Sequence, residues 1–361
     1  MTAEHVRGTV VVGAGILGCV VAREILAADP GASVTVVDRD LVAGGASRRS
    51  AGLHFPRGAS PAVRAMAAES QRYYAELVAA RPELPIHSLP MTVVAPESTE
   101  ARLREVYLPE ADLRRATGVP DGVTVPAGSA AWTGDGCQYA DVPALTQALA
   151  AELRPGVEFL EGVTVTGVSP EADGVRLSLG TGDTLTAERV VLAPGPWLAA
   201  KAWAHLVEPL GARVKKIVAL HIEEAPGKDD GAIVLQEEDA FLLPYRHRGH
   251  WLFSYTCTEW DVDPDTVEPG PTPAHLAEAR ELLERYAPRL ADRCVSGRVF
   301  CDAYAPGGVP LVRPLTDDGR VVFAGAAGGS GYRLAPALAR ETVRLLSPQP
   351  PSRTDRKDTE K

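Results

Sequence analysis

The segment Thr9 to Asp38, TVVVGAGILGCVVAREILAADPGASVTVVD, constrains the fold more than any other part of the chain. A β-branched run from Thr9 to Val12 passes straight into Gly13, Gly15 and Gly18. An apolar pattern of helical period follows, and a second β-branched run, Val34 to Val37, ends on Asp38. Strand, glycine turn, helix, strand and acid in this order suit a dinucleotide. Gly13 permits the tight turn out of the strand, and Gly15 lets a pyrophosphate lie against bare backbone. Gly18 brings the helix close to the sheet. The helix start, with Ile16 and Leu17, offers free N–H groups and the positive end of the dipole to phosphate. Asp38 can accept hydrogen bonds from both hydroxyls of an adenosine ribose and would repel a 2′-phosphate. FAD and NAD both remain open at this point.

A chain of 361 residues exceeds one small core, so two joined domains are expected. The formal charge of -10, with no basic patch, argues against a nucleic-acid partner. Cys19, Cys137, Cys257, Cys294 and Cys301 are scattered without a CxxC pair, which suits neither a zinc site nor a disulfide framework and fits a reducing, cytoplasmic setting. No apolar run reaches membrane-spanning length, so no membrane span is expected. The stretch 347–361 is rich in proline and charge and reads as a disordered tail.

Further along the chain, Leu41 to Ala62 is dense in small residues and carries Arg48, Arg49, His54 and Arg57. A loop of that length in a compact domain is usually functional. Ser60-Pro61 starts a helix expected to reach about Ala80. From Pro82 to Gly136 the periodicity weakens, as an inserted piece of a second domain would. Asp141 caps a helix over 142–153. Short strands, a hairpin over 175–185 and a buried strand over 189–192 follow, the last running into APGPW, Ala193 to Trp197. Residues 207–308 alternate as long strands with one helix from Thr272-Pro273, the pattern of an antiparallel sheet. GRVVFAGAAGGSG, Gly319 to Gly331, then returns to strand and glycine turn before a last helix, 335–346, giving a second helix N-terminus.

These pieces resemble the FAD-dependent amine oxidoreductases typified by D-amino-acid oxidase, glycine oxidase and monomeric sarcosine oxidase. The resemblance rests on VVVGAGILG with Asp38, the GGAS-RRSAG loop, VVLAPGPW, VDPDTV at Val262 to Val267, and FAGAAGGSGYRLAPA, in the family's order over nearly the whole chain. The C-terminal glycine block separates this family from NAD dehydrogenases, so the resemblance implies FAD. It implies a mixed α/β and α+β fold: a Rossmann-like FAD-binding domain of the glutathione-reductase type, over 1–86, 141–208 and 301–346, interleaved with an antiparallel-sheet substrate domain over 87–140 and 209–300.

It also implies roles for individual residues. Gly13, Gly15 and Gly18 would hold the pyrophosphate and Asp38 the ribose, with Arg39 along the adenine. Ser47, Arg49 and Ser50 would line the flavin's approach. Val163 would pair its backbone with adenine, and Gly195 and Trp197 would flank the ribityl chain. Gly329, Ser330, Gly331 and Tyr332 would meet the isoalloxazine carbonyl edge. Arg333 falls where the sarcosine oxidase branch binds the substrate carboxylate, and His54 or Arg57 falls near its second anchor. Tyr245 and Tyr255, on substrate-domain strands, are pocket candidates.

Two departures stand out. The branch's flavin-tethering cysteine aligns with Phe300, and Cys301 is one residue on, facing the other way in a strand. The FAD is therefore expected to be non-covalent. Leu252 stands where that branch has a lysine that helps oxygen react. The expected reaction is oxidation of the C–N bond of an amino acid or N-substituted amino acid to an imine, which water hydrolyses. Oxygen or another electron acceptor would reoxidise the flavin. A dehydrogenase feeding a quinone or carrier protein, and a non-catalytic FAD-binding subunit, are the alternatives.

Overall fold

The fold was obtained as a computed structural model, which describes residues 6–347. The expected tail falls outside that range apart from Ser347. Five parallel strands form the first sheet's centre, in the spatial order Val157–Glu161, Val34–Asp38, Val6–Val12, Thr184–Leu192 and Val321–Gly325. Their β-branched residues are buried on both faces, as a parallel sheet covered by helices requires. Helices Ile16–Ala28, Val142–Leu153 and Gly331–Leu346 share one apolar cluster on one face. The hairpin Val165–Glu171 and Gly174–Leu179 extends the sheet antiparallel at one end.

All five parallel strands end at the same edge, where open α/β sheets bind ligands. The chain crossings there are stitched together by backbone. Gly13 N donates to Val37 O at 2.8 Å and Ala193 N to Val12 O at 2.9 Å.

The second sheet has eight strands, in the order Cys294–Tyr304, Arg213–Ile222, His250–Tyr255, Ala240–Tyr245, Ala232–Leu235, Met91–Pro96, Ser129–Gly134 and Arg114–Arg115. It is not wholly antiparallel as expected: Ala232–Leu235 runs parallel to Met91–Pro96. That pair joins the two chain segments of the sheet, 91–134 and 213–304, and the chain between its strands passes through four strands of the first sheet, from Val157 to Leu192, rather than through a hairpin. The boundary expected between 300 and 301 falls inside the continuous strand Cys294–Tyr304. Helix Pro273–Tyr286 covers the outer face, started by a capping box in which Thr272 and His275 bond reciprocally. A small three-stranded sheet of Leu53–His54, Gln138–Ala140 and Ile86–Ser88 connects the two large ones.

The close approach of helix Ile16–Ala28 fixes the helix start at the sheet edge. A Cβ on Gly18 would lie 1.8 Å from Gly13 O, whereas one on Gly15 would meet only Ser47 Oγ, at 3.1 Å. Gly18→Ala must push helix from strand, and overpacking of that kind costs about 1–3 kcal/mol or more. A clear drop in the urea midpoint is expected for Gly18→Ala, with Gly15→Ala close to the parent.

Candidate functional site

A cavity of about 710 Å³ runs from the strand ends of the first sheet to the inner face of the second. At its first-sheet end, Gly15 and the start of helix Ile16–Ala28 form the floor. Ser47 Oγ accepts from Ile16 N at 2.9 Å, which holds the 46–49 turn over the helix start. Asp38 is fixed from two sides: its carboxylate accepts from Ala14 N at 2.6 Å and from Asp40 N at 2.8 Å. Burial nevertheless raises its pKa, because desolvation outweighs those two bonds.

Arg39 and Trp197 both border the cavity. The Arg39 guanidinium stands 4.2 Å from the centre of the Trp197 ring and pairs with Asp265 at 2.7 Å. Trp197 Nε1 donates to the same carboxylate at 2.8 Å. Asp265 lies in the VDPDTV stretch, which thereby clasps this end of the cavity through Arg39 and Trp197. Val163 also borders the cavity, but its N–H is given to Asp38 O at 2.9 Å. Only its carbonyl is left for an adenine, a narrower role than the sequence implied. Gly195 sits at φ +58° beside the Trp197 ring, a conformation that favours glycine.

The second glycine turn closes the middle. Gly328 has φ +55°, and a Cβ there would be 2.5 Å from the Tyr304 ring. Gly329, Ser330 and Gly331 line the cavity, and helix Gly331–Leu346 starts there with no side-chain cap, so its first N–H groups face the space. Tyr332 differs from expectation in its side chain. The ring packs into the core 4.7 Å from Tyr74, and its carbonyl accepts from Tyr74 Oη at 2.7 Å, so only its backbone N–H side meets the cavity.

Arg333 is buried at the cavity wall. Its guanidinium donates to Arg57 O and, at 2.7 Å, to Ser330 Oγ, and lies over the Phe55 ring at 5.1 Å. Burial and the charge of Arg57 hold its pKa down to about 10, which leaves it cationic at neutral pH. Arg57 lines the cavity beside it, between the Phe55 and Tyr107 rings. Among the described residues neither guanidinium has a carboxylate within salt-bridge distance. A buried guanidinium and a half-buried one side by side, without an anion, form a receptor for one.

Three other expected site residues, His54, Tyr245 and Arg49, are not in the cavity lining, and a fourth, Tyr255, borders it with its hydroxyl engaged elsewhere. His54 is fully buried on the far side of its two-residue strand, where Leu53 and Phe55 take the cavity positions. Its Nε2 meets Gln71 Oε1 at 3.0 Å, its ring meets Tyr74 edge-on, and burial pushes its pKa down to about 3, so it is a neutral core histidine. Tyr245 does not reach the cavity and instead donates to Ser50 O at 3.3 Å. Tyr255 borders the cavity, but its hydroxyl is committed to Glu278 Oε2 at 2.8 Å on the outer helix. Arg49 points out of the cavity; its carbonyl accepts from Arg298 Nε at 2.9 Å.

Arg298 escaped the sequence reading altogether. From the second sheet it bonds the carbonyls of both Arg49 and Ser50, with His221 Nε2 2.9 Å from its third nitrogen, so it anchors the loop that borders the cavity. No local pattern marks it. Lys215 and Asp302 also line the cavity and were also missed. Cys257, Glu259 and His275 approach within 4.8 Å of one another. His275 Nδ1 accepts from Thr272 N, which places its proton on Nε2 facing Glu259, and Lys216 takes the other carboxylate oxygen, so the cluster is satisfied internally.

Strand Cys294–Tyr304 alternates as the sequence suggested. Phe300, Asp302 and Tyr304 line the cavity, whereas Cys301 is buried on the opposite face and its thiol is pushed up to about 11.

A glycine floor that a side chain would fill, an acid at the second strand's end, and two helix N-termini facing one elongated space suit FAD. The floor would take a pyrophosphate, Asp38 a ribose, and the second helix start the carbonyl edge of a flavin. The fold and the site thus define a flavoprotein oxidoreductase. Residues 9–345 match the family model described as FAD dependent oxidoreductase (DAO), and the chain belongs to that family. It is 28% identical to a glycine oxidase of Pseudomonas aeruginosa, over 95% of each chain. Its fold superposes on L-proline dehydrogenase from P. horikoshii (TM-score 0.79, 18% identity, 95% of this chain and 94% of that one). It also superposes on FAD-bound L-alpha-glycerophosphate oxidase from Mycoplasma pneumoniae (TM-score 0.80, 17% identity, 95% of each). No described helix is long and apolar enough to cross a membrane.

Gly15→Val should give folded but colourless protein; full flavin absorbance at the parent's stoichiometry would remove the pyrophosphate from this floor. Acid precipitation of the parent should leave the yellow colour in the supernatant. Flavin retained in the pellet, and lost in Cys301→Ser, would contradict the facing of Cys301.

Proposed function

We propose that this enzyme oxidises the C–N bond of an amino acid or N-substituted amino acid to an imine, which water then hydrolyses. The observation that carries this reading is the Arg57–Arg333 pair. Buried Arg333 and half-buried Arg57 stand together at the cavity wall without an acid of their own, and a substrate carboxylate fits them. The similarity to a glycine oxidase and to the fold of a proline dehydrogenase supports an amino-acid substrate.

When bound, the flavin supplies the chemistry by taking a hydride equivalent from the carbon beside nitrogen. The chain's own work is positioning and charge. Arg333, held at its Ser330 and Arg57 contacts, keeps a fixed face toward the carboxylate. Phe55, Ile217, Phe241 and Phe300 wall the space with apolar surface and exclude water. The uncapped start of helix Gly331–Leu346 would help hold the flavin and would offer its dipole to negative charge at that end of the cavity.

A dehydrogenase that hands its electrons to a quinone or carrier is the second reading, favoured by Leu252. That residue is fully buried in the apolar cluster of the second sheet and is not part of the cavity wall. A charged side chain is therefore absent from the position where the sarcosine oxidase branch has its oxygen-assisting lysine. Rapid reoxidation of the reduced enzyme in air distinguishes an oxidase from this alternative.

Arg333→Ala should retain FAD but weaken substrate binding. Removing one anchor of a buried charge pair costs on the order of 2–5 kcal/mol, at about 1.4 kcal/mol per tenfold. Loss of roughly thirtyfold or more in affinity is expected from anaerobic flavin bleaching against substrate concentration. Arg333→Lys should lose less. Parent-like bleaching by Arg333→Ala would show that the carboxylate is held elsewhere.

A further inference from the structure

The inner face of the second sheet carries one acid on its edge strand. In the ladder between Arg213–Ile222 and Cys294–Tyr304, Lys215 stands opposite Asp302 and Ile217 opposite Phe300. All four border the cavity. Such opposed residues share a face and normally pair if their charges differ. Lys215 does not pair with Asp302. Its Nζ is drawn over the rings of Trp260 and Tyr304, at 5.3 and 5.4 Å from their centres. Asp302 is half-buried, and among the described residues it has no hydrogen-bond or salt-bridge partner, so its carboxylate is left to face the cavity. The cavity thus holds an unanswered cation pair, Arg57 and Arg333, and an unanswered acid.

We propose that Asp302 is the cationic-nitrogen subsite of this cavity, facing a substrate's ammonium group while Arg57 and Arg333 face its carboxylate, and receiving the proton that the ammonium loses before oxidation. This rests on the amino-acid reading above and makes it narrower: the substrate is a zwitterion bound through both charges. In the step assigned to Asp302, one N–H bond of the ammonium breaks and one O–H bond forms on the carboxylate. The N–H electron pair stays on nitrogen as the lone pair that oxidation of the neighbouring carbon requires. No electron leaves the substrate in this step.

The charge balance suits the role. Burial raises the Asp302 carboxyl to about 7, so it can both ionise and accept a proton near neutrality. The groups around it are Lys215 on the opposed strand, Cys301 and Tyr304 on its own strand, and Asp239 between two further strands, with Arg57 and Arg333 elsewhere on the lining of the same cavity. Burial pushes Cys301 up to about 11 and Tyr304 higher still, which removes both from the neutral range.

The test uses the FAD-loaded enzyme and two ligands of one shape. Trimethylglycine carries a fixed cation and cannot be oxidised through an N–H; 3,3-dimethylbutanoate replaces that nitrogen with carbon. Binding is read from the flavin difference spectrum. At pH 8 the parent should prefer trimethylglycine by about tenfold or more, and the preference should grow between pH 6 and pH 8 as Asp302 ionises. Asp302→Asn should bind 3,3-dimethylbutanoate as the parent does and lose both the preference and its pH dependence. In anaerobic bleaching by N-methylglycine, Asp302→Asn should be slowed at least about tenfold at pH 7 and recover toward pH 10, where the amine is neutral without help. A parent that fails to prefer the cationic ligand overturns the proposal, as does an Asp302→Asn variant that keeps the preference. Loss of FAD from Asp302→Asn with an unchanged ligand ratio in the remaining holoenzyme also overturns it and assigns the acid to the cofactor. A parent that prefers trimethylglycine, yet whose flavin no amine bleaches, shows instead that the oxidation reading has failed while the charge subsite stands.

Discussion

The contact between Gly18 and Gly13 is the constraint on which the rest of this structure depends. Helix Ile16–Ala28 lies so close to the first strand that the missing Cβ of Gly18 would almost coincide with Gly13 O. That approach directs the helix start at the shared edge of five parallel strands and sets where phosphate can be received. It also sets where Ser47 can reach Ile16 N, and so where the long loop after Asp38 must run. The loop then provides Phe55 and Arg57, which end up against Arg333 from the opposite end of the sequence. A backbone contact at the beginning of the chain thus positions a charge cluster assembled from residues far apart in it.

The second sheet is held to this frame by polar contacts to backbone as well as by apolar packing. Arg298 and Tyr245 reach across to the carbonyls of Arg49 and Ser50, and Asp265 takes both Arg39 and Trp197. The first group fixes the loop after Asp38, and the second fixes the end of the cavity beside Arg39 and Trp197. Exposed ion pairs such as Arg39–Asp265 contribute little stability by themselves, in the range of about 0–1 kcal/mol. Here a ring and two donors converge on one carboxylate, so the geometry is over-determined even where the energy is small. The cavity keeps its width because its walls are tied at both ends.

What the sequence disclosed follows from how local each signal is. The strand–turn–helix–strand unit was legible because its parts lie within thirty residues and each has its own periodicity. The opposite facing of Phe300 and Cys301 was legible because strand alternation is local too. His54 was misplaced because a loop gives no phase: only the two-residue strand, paired to Gln138–Ala140, decides that Leu53 and Phe55 face inward. Tyr245 and Tyr255 were assigned by element and not by face, and both hydroxyls proved to be committed elsewhere. Lys215, Asp302 and Arg298 could not be found locally, since their positions depend on the register between strands some eighty residues apart. The parallel pair Ala232–Leu235 with Met91–Pro96 was hidden for the same reason.

The charges in the cavity argue that it is built for a ligand and not for the stability of the empty chain. Arg333 is held below its ordinary pKa and Asp302 above its own, both chiefly by desolvation. For Asp302 the native state binds a proton more tightly than the unfolded chain does. Its contribution is therefore most favourable below the ordinary carboxyl value of 3.8 and is lost as pH rises through about 7. For Arg333 the native state binds its proton less tightly, so at neutral pH the folded form carries a cation that burial disfavours. Both groups thus work against folding at neutral pH, where hydrophobic residues of the same size would not. The two charges cancel little of this cost, because Arg333 makes no hydrogen bond or ion pair with Asp302. The arrangement becomes favourable only when something between them carries both signs, a negative end toward Arg57 and Arg333 and a positive end toward Asp302. A site of this kind gives specificity through penalties: a ligand with one charge leaves a buried group unanswered, and a neutral one leaves three.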